Sequence, residues 1–232
     1  MTEPSFLGQI TLDGPSGTGK SSVARDVARR LAAAYLDTGA MYRAATVAVL
    51  DAGVSLDDKI AVARAVSQAA IRVGTNARRE LVTVDGVDVR ERIRGAEVTR
   101  AVSPVSAVPA VRRLLVARQR ELVREAEAVV VEGRDIGTVV LPEATLKIYL
   151  TAAPEVRAQR RAGQLGVTAP DKIAALAADL RRRDEHDSRR ADSPLRPAED
   201  AVVVDSTDLD KNAVVARIVD LARSAVGVGE SR

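Results

Sequence analysis

Residues 14–21, Gly-Pro-Ser-Gly-Thr-Gly-Lys-Ser, fit the pattern G-x-x-x-x-G-K-[ST]. Glycines let the backbone wrap a phosphate with its N–H groups pointing inward, and a following helix adds its positive end. On this pattern Gly14, Pro15, Ser16, Gly17, Thr18, Gly19, Lys20, Ser21 and Ser22 cradle nucleotide phosphates. Lys20 would reach the β- and γ-phosphates, and Ser21 would sit on Mg2+. Asp13 and Glu132 are candidate outer-sphere partners of that ion. The pattern does not say which nucleotide is used or what accepts the phosphate. A GTPase would carry N-K-x-D and a transporter ATPase an LSGGQ-type signature, and the chain has neither. Small-molecule kinases remain.

Other chemistries are thin on the ground. There is no cysteine and one histidine, His186, so thiolate nucleophiles and His-rich metal sites are excluded. An acceptor that is already an anion needs no general base; positioning and positive charge around the transferring phosphoryl group suffice. A chain rich in arginine suits that chemistry, because the guanidinium fork matches phosphate oxygens.

Two further clusters are candidates. Arg134-Asp135 directly follows the apolar run AVVVEG (128–133), and charged residues there lie at the carboxyl edge of a sheet, where open α/β folds bind ligands. A helix cap or a local ion pair would explain them equally well. The run RRRDEHDSRR (181–190) has a solvated face as its bland explanation. Its periodicity says more. The stripe Ile173, Leu176, Leu180 continues at helical spacing onto Arg183, Asp187 and Arg190, so an inward face becomes charged. His186 lies near its margin, with no acidic partner to make it catalytic.

Elements must position these groups. QITLD (9–13) reads as a strand entering the glycine loop, and Val23, Val27 and Leu31 give the amphipathic helix after it. A short strand at 35–36 and a helix from about 40 to 51 follow. Residues 53–106 differ in texture: a helix near 57–70, then IRVG (71–74) and ELVTVDGVDV (80–89), whose Asp85-Gly86 is a hairpin-type turn. A helix from Pro109 to about 126 precedes the strands AVVVEG and LKIYL (146–150). Helices from Pro154 to about 165 and from Pro170 to about 189, the strand AVVVD (201–205) and a helix at 210–226 complete the order. It describes a parallel sheet flanked by helices with a small antiparallel insertion.

Composition agrees. The chain has 232 residues, 46% hydrophobic and 2% aromatic, with 35 Lys+Arg against 32 Asp+Glu. Near-neutral charge and missing aromatic platforms count against a nucleic-acid partner. MTEPSFLGQI lacks the regions of a signal peptide, and no apolar run reaches membrane-spanning length, so the expectation is a cytoplasmic protein without a membrane partner.

Taken together, LDGPSGTGKSS (12–22), LDTGAMYR (36–43), VSPVSAVPAVR (102–112), EGRDIGTVVLP (132–142), RRDEHDSRR (182–190) and SPLRPAEDAVVVDST (193–207) resemble bacterial cytidylate kinase, a nucleoside-monophosphate kinase. The resemblance runs over essentially the whole chain in the family's order. It implies an α/β P-loop NTPase fold, with a monophosphate-binding insertion (53–106), a helical lid (154–190) and a core of 1–52, 107–153 and 191–232, in one domain acting as a monomer. It implies transfer of a phosphoryl group from ATP, with Mg2+, to CMP or dCMP. Thr38 and Arg43 would line the CMP pocket, Arg43 on its phosphate; Ser103 and Arg112 would read the cytosine. Arg134 would bind phosphate and Asp135 face the base, and Arg183, Asp187 and Arg190 would contact sugar and phosphate. Lys20, Arg134, Arg183 and Arg190 would supply the catalytic charge. Arg157 and Arg161, with Arg160 beside them, lie where lid arginines reach ATP, though a solvated face accounts for that cluster as well. Thr38 stands where many members have Ser, and its extra methyl takes space near the sugar.

Overall fold

The structure, a computed structural model, describes residues 6–190 and 192–227. The sequence readings at 1–5, 191 and 228–232, including the start of the N-terminal segment and the ends of the core, lie outside the described residues. In chain order the elements are β1 Gly8–Asp13, α1 Lys20–Arg30, β2 Ala34–Asp37, α2 Thr38–Asp51, α3 Lys59–Gln68, β3 Ile71–Val73, β4 Val82–Val84 and β5 Val87–Asp88. A 3-10 turn, Arg92–Arg94, leads to α4 Ala96–Ser106, α5 Pro109–Arg124 and β6 Ala128–Glu132. A π-helical turn, Ile136–Val140, is followed by β7 Leu146–Thr151, α6 Pro154–Leu165, α7 Pro170–Ser188, β8 Val202–Asp205 and α8 Lys211–Gly227. The chain divides into two units, one running through Ala33 and resuming at Glu127, the other Ala34–Ala126.

In the first unit β1 pairs in parallel with β6 and β7, and β7 pairs in parallel with β8. These strands make the expected parallel sheet. The strands are short and aliphatic because both faces are covered: Ile10, Leu12, Val130, Val131, Ile148, Leu150 and Val204 are buried. With so few aromatics, aliphatic burial has to hold the fold together, at roughly 1.5–3 kcal/mol for each fully buried Val, Leu or Ile. On α1 the stripe Val23, Val27 and Leu31 is buried, as its spacing predicts, and α1 packs against α8. Register matters most at the carboxyl edge. Leu12 pairs with Glu132 and Asp13 with Tyr149, so the glycine loop and the Gly133-Arg134-Asp135 segment leave the sheet side by side.

In the second unit Asp37 caps α2, its Oδ1 accepting the Ala40 N–H at 2.8 Å, which fixes the start of the helix bearing Thr38 and Arg43. The β3-β4-β5 sheet is antiparallel, as the alternation of residues 80–89 predicts. Asp85 and Gly86 both adopt positive φ, 51° and 82°, the I′ hairpin geometry that suits Asp-Gly. Val82, Val84, Val89, Ile93 and Val98 pack with Ala40, Ala44 and Val47 of α2. The helix α4 is the element the sequence reading passed over. Gly95 stands at its N-cap, and Pro104 falls in its last turn, where little helix is left to disrupt.

Candidate active site

The glycine loop takes its shape from residues that tolerate positive φ. Gly14, Gly17 and Gly19 have φ of 145°, 82° and 91°, and a Cβ on Gly14 would run into the Leu150 carbonyl oxygen. Within the loop the Thr18 hydroxyl donates to the Pro15 carbonyl at 3.2 Å. Lys20 opens α1 and folds back so that Nζ donates to the same carbonyl at 2.6 Å and approaches Thr18 Oγ1 at 3.4 Å. Burial first, then the nearby Arg134 guanidinium, lower the Lys20 pKa from 10.5 to about 7; Glu132, Asp13 and Asp184 pull the other way. Its charge is therefore held against a desolvation cost that an incoming anion would offset. Ser22, exposed, donates to the Gly19 carbonyl at 2.9 Å and closes the first turn of α1.

Ser21 Oγ donates to Glu132 Oε2 at 2.9 Å. A hydroxyl and a buried carboxylate at the end of β6 are the hard oxygen donors a divalent cation takes. Among the described residues no cluster of three or more His, Cys, Asp or Glu could hold a metal by itself, so nucleotide phosphates would have to complete such a site.

Arg134 sits where the parallel register puts it, beside the loop. Its Nη2 donates to Ser16 Oγ at 3.0 Å and its Nε to Asp187 Oδ2 at 3.2 Å. Arg190 pairs with the other oxygen of Asp187, which is buried in the last turn of α7. Arg183 is half-buried. Burial and then the Arg183 guanidinium lower the Arg161 pKa. Arg161 also donates to Gln164 Oε1 at 3.2 Å. Arg157, buried, donates to the Ser16 carbonyl at 3.0 Å and pairs with Asp184. The charged run divides by face: Arg181, Arg182, Glu185, His186, Ser188 and Arg189 are exposed, while Arg183, Asp184, Asp187 and Arg190 are not.

In the second unit Thr38 is buried in the first turn of α2. Arg43 Nη1 donates to the Ile93 carbonyl at 2.9 Å and to Thr99 Oγ1 at 3.1 Å. Burial raises the pKa of Asp37, with the Ala40 amide, Arg94 and Arg43 opposing. Ser103 is half-buried on α4. Arg112, buried on α5, lies over the Tyr42 ring at 5.4 Å from its centroid and reaches the Ser106 carbonyl at 3.4 Å.

Residues 10–224 match the family model described as cytidylate kinase. The chain belongs to the cytidylate kinase family. It is 57% identical to the cytidylate kinase of Rhodococcus opacus (strain B4) over 95% of this chain and 97% of that one. Against the cytidylate kinase of Nocardia farcinica (strain IFM 10152) the figure is 54%, over 96% and 97%. In fold it resembles a solved gluconokinase from Sinorhizobium meliloti 1021, at a TM-score of 0.52 and 18% identity, covering 99% of this chain and 100% of that one.

Within this cytidylate kinase fold, the first unit brings Lys20, Ser21, Arg134, Arg157, Asp187 and Arg190 into one network around the loop. Asp135 is buried at the head of the π-helical turn. The second unit joins Arg112 to Tyr42 and ties Arg43 to the segment between Ile93 and Thr99. Three residues of the first unit carry more structure than the sequence suggested. Asp184 accepts the Ser16 N–H at 2.9 Å. Asp13 accepts the N–H groups of Ile136 and Gly137 at 2.9 and 2.8 Å. Arg160 spends its guanidinium on the Ser206 hydroxyl and carbonyl, at 2.9 and 2.6 Å, and on the Thr18 carbonyl at 3.3 Å, an anchor for the loop's rear. Spacing could have found Asp184, which lies one turn before Asp187, but nothing in the sequence pairs Asp13 with residues 136–137.

Proposed function

We propose that this chain catalyses transfer of the γ-phosphoryl group of ATP, taken with Mg2+, to CMP and dCMP, giving ADP and CDP or dCDP. The observation that carries the reading is the clustering of Lys20, Arg134 and Arg157 around one glycine loop in a member of the cytidylate kinase family.

In the reaction an oxygen of the CMP phosphate attacks the γ-phosphorus in line as the bond to the ADP oxygen breaks. Gly14 to Ser22 hold the ATP phosphates, with Arg157 and Arg161 from α6 alongside. Ser21 would hold the divalent ion, Glu132 accepting from the Ser21 hydroxyl. With the ion held at Ser21, the site would supply charge neutralisation for the nucleotide phosphates. Lys20, Arg134, Arg183 and Arg190 balance the negative charge spread over the transferring group. Arg43 takes the phosphate of CMP. Ser103 and Arg112 read its base, with Asp135 facing that base as well. Thr38 and Asp187 take the sugar side. Water is a rival acceptor, so a half-buried, arginine-lined setting that excludes it favours transfer over hydrolysis.

No helix among the described residues is long and apolar enough to cross a membrane. The proposal includes a cytoplasmic monomer with no nucleic-acid partner.

A coupled assay across CMP, dCMP, UMP, AMP and GMP with Mg·ATP tests the reading. CMP and dCMP should exceed the purine substrates in kcat/KM by about 100-fold or more, the scale of discrimination that polar base contacts give. Folded protein that forms no ADP in response to CMP would overturn the reading. UMP ranked above CMP would overturn the roles of Ser103 and Arg112.

A further inference from the structure

Asp184 is a carboxylate in a place meant for an anion. It follows Arg183 on α7 and is largely shielded, its side chain 16% exposed. One oxygen accepts the Ser16 N–H at 2.9 Å and the other pairs with Arg157 Nη1. Arg157 Nη1 also donates to the Ser16 carbonyl at 3.0 Å. Ser16, Arg157 and Asp184 thus close a ring on the wall of the glycine loop. The Asp184 charge also reaches Lys20, where it is among the groups that favour the ammonium form.

A loop amide and a guanidinium meeting on one anion are donors that a phosphate group takes. Asp184 meets them with two oxygens. Arg157, 8% exposed, keeps an Nε with no hydrogen-bond partner among the described residues. A phosphate, with more oxygens and more charge, would satisfy it further. Asp187 treats Arg134 and Arg190 in the same way one turn later, but it belongs to the residues the family resemblance already names. Asp184 does not.

We propose that the Asp184 carboxylate is an internal phosphate surrogate, which holds the Ser16 amide and Arg157 in place and gives them up to a nucleotide phosphate. The proposal rests on the reading that the glycine loop binds ATP. Asp184 is then an affinity-setting residue. It keeps the donors arranged before nucleotide arrives and competes with ATP and ADP for them, so it hastens the departure of ADP. A negative charge beside an anion site weakens anion binding, and its removal strengthens it.

Calorimetric titration of Mg·ADP into wild type, Asp184→Asn, Asp184→Ala and the control Glu185→Gln tests this. Glu185 is exposed on the same helix, so its variant removes an equal charge from the wet face and should bind like wild type. Both Asp184 variants should bind ADP tighter by about 2- to 5-fold, the range that a charge contact of this kind spans. KM for ATP should fall with Kd, and kcat should fall as ADP leaves more slowly. A residue that merely braced the fold would give weaker ADP binding and a lower Tm when removed. Unchanged or weaker ADP binding by a folded Asp184 variant overturns the proposal. If neither variant folds, carbon-13 NMR of wild-type side-chain carboxyls decides: the Asp184 resonance should move on saturation with Mg·ADP, and a fixed resonance overturns the proposal. Wild type that binds no ADP overturns the loop reading together with this one, whereas tight binding by wild type and no gain in the variants strikes at Asp184 alone.

Discussion

At the scale of single residues, Lys20 carries a charge that depends on its surroundings. Its pKa is lowered to about 7 by burial and by Arg134, so near neutral pH the free protein holds the proton only part of the time. Phosphates beside it favour the ammonium form. Binding of Mg·ATP or Mg·ADP at pH 7–8 should therefore take up protons. Binding heats measured in two buffers of different ionisation enthalpy should differ accordingly, and the difference should shrink in Lys20→Ala. That variant should also lose at least about 100-fold in kcat, the usual cost of removing one charge-stabilising donor. The stability linkage has the opposite sense from that of a paired lysine. The folded chain releases this proton near pH 7 and the unfolded chain keeps it to 10.5. On account of Lys20 alone, then, stability rises with pH across that window.

At the scale of elements, one carboxylate joins two loops. Asp13 ends β1 and its two oxygens take the N–H groups of Ile136 and Gly137, one residue beyond Arg134-Asp135. The Gly133 N–H adds a bond to the Leu12 carbonyl at 3.1 Å. Asparagine at position 13 would present an NH2 group to one of those amides, leaving buried donors facing each other. We expect Asp13→Asn to lower kcat by about ten- to hundredfold through the slackened Arg134 loop, since small misplacements near the chemistry are costly. Rescue by glutamate, but not by alanine, would separate the acceptor role from bulk. Burial raises the Asp13 pKa from 3.8 to about 6, against the two amide bonds. A raised folded-state pKa means that its contribution to stability is full below 3.8 and is lost as pH climbs through about 6. Urea unfolding of wild type should therefore lose ground against Asp13→Asn between about pH 4 and 6. A difference that is flat with pH would show that Asp13 does not titrate in this window.

At the scale of the whole molecule, nucleotide binding is a stability term. Mg·ADP at 100 times its Kd would add about 2.7 kcal/mol. For a chain of this length each kcal/mol moves Tm by about 2–4 °C, so a rise of roughly 5–10 °C is expected in a thermal melt. Mg2+ without nucleotide should do little, because among the described residues no protein cluster holds a metal unaided. A melt raised equally by Mg2+ alone would contradict the view that phosphates complete the ion's site.

Much of this was legible in the chain itself, for reasons that are local. G-x-x-x-x-G-K-[ST] is read without a fold because its glycines serve the backbone and its Lys and Ser follow at fixed spacing. The hairpin at Asp85-Gly86 and the buried stripe of α1 are likewise local, set by φ preference and helical period. The 3-4-3 spacing that singled out Arg183, Asp187 and Arg190 agrees with their shielding, because one helix carries the face on. Local signals did not reveal α4, which carries Gly95 at its N-cap and Pro104 in its last turn. Partners far apart in sequence needed the tertiary structure. Asp13 with residues 136 and 137, Ser21 with Glu132, and Ser16 with Asp184 are joined by strand register and helix packing, which no spacing along the chain encodes. The sequence by itself determined which residues could handle a phosphate. Only the tertiary structure decided which carboxylates hold those residues in readiness, because an ion pair or a buried hydrogen bond depends on distances set by the packing of the whole unit.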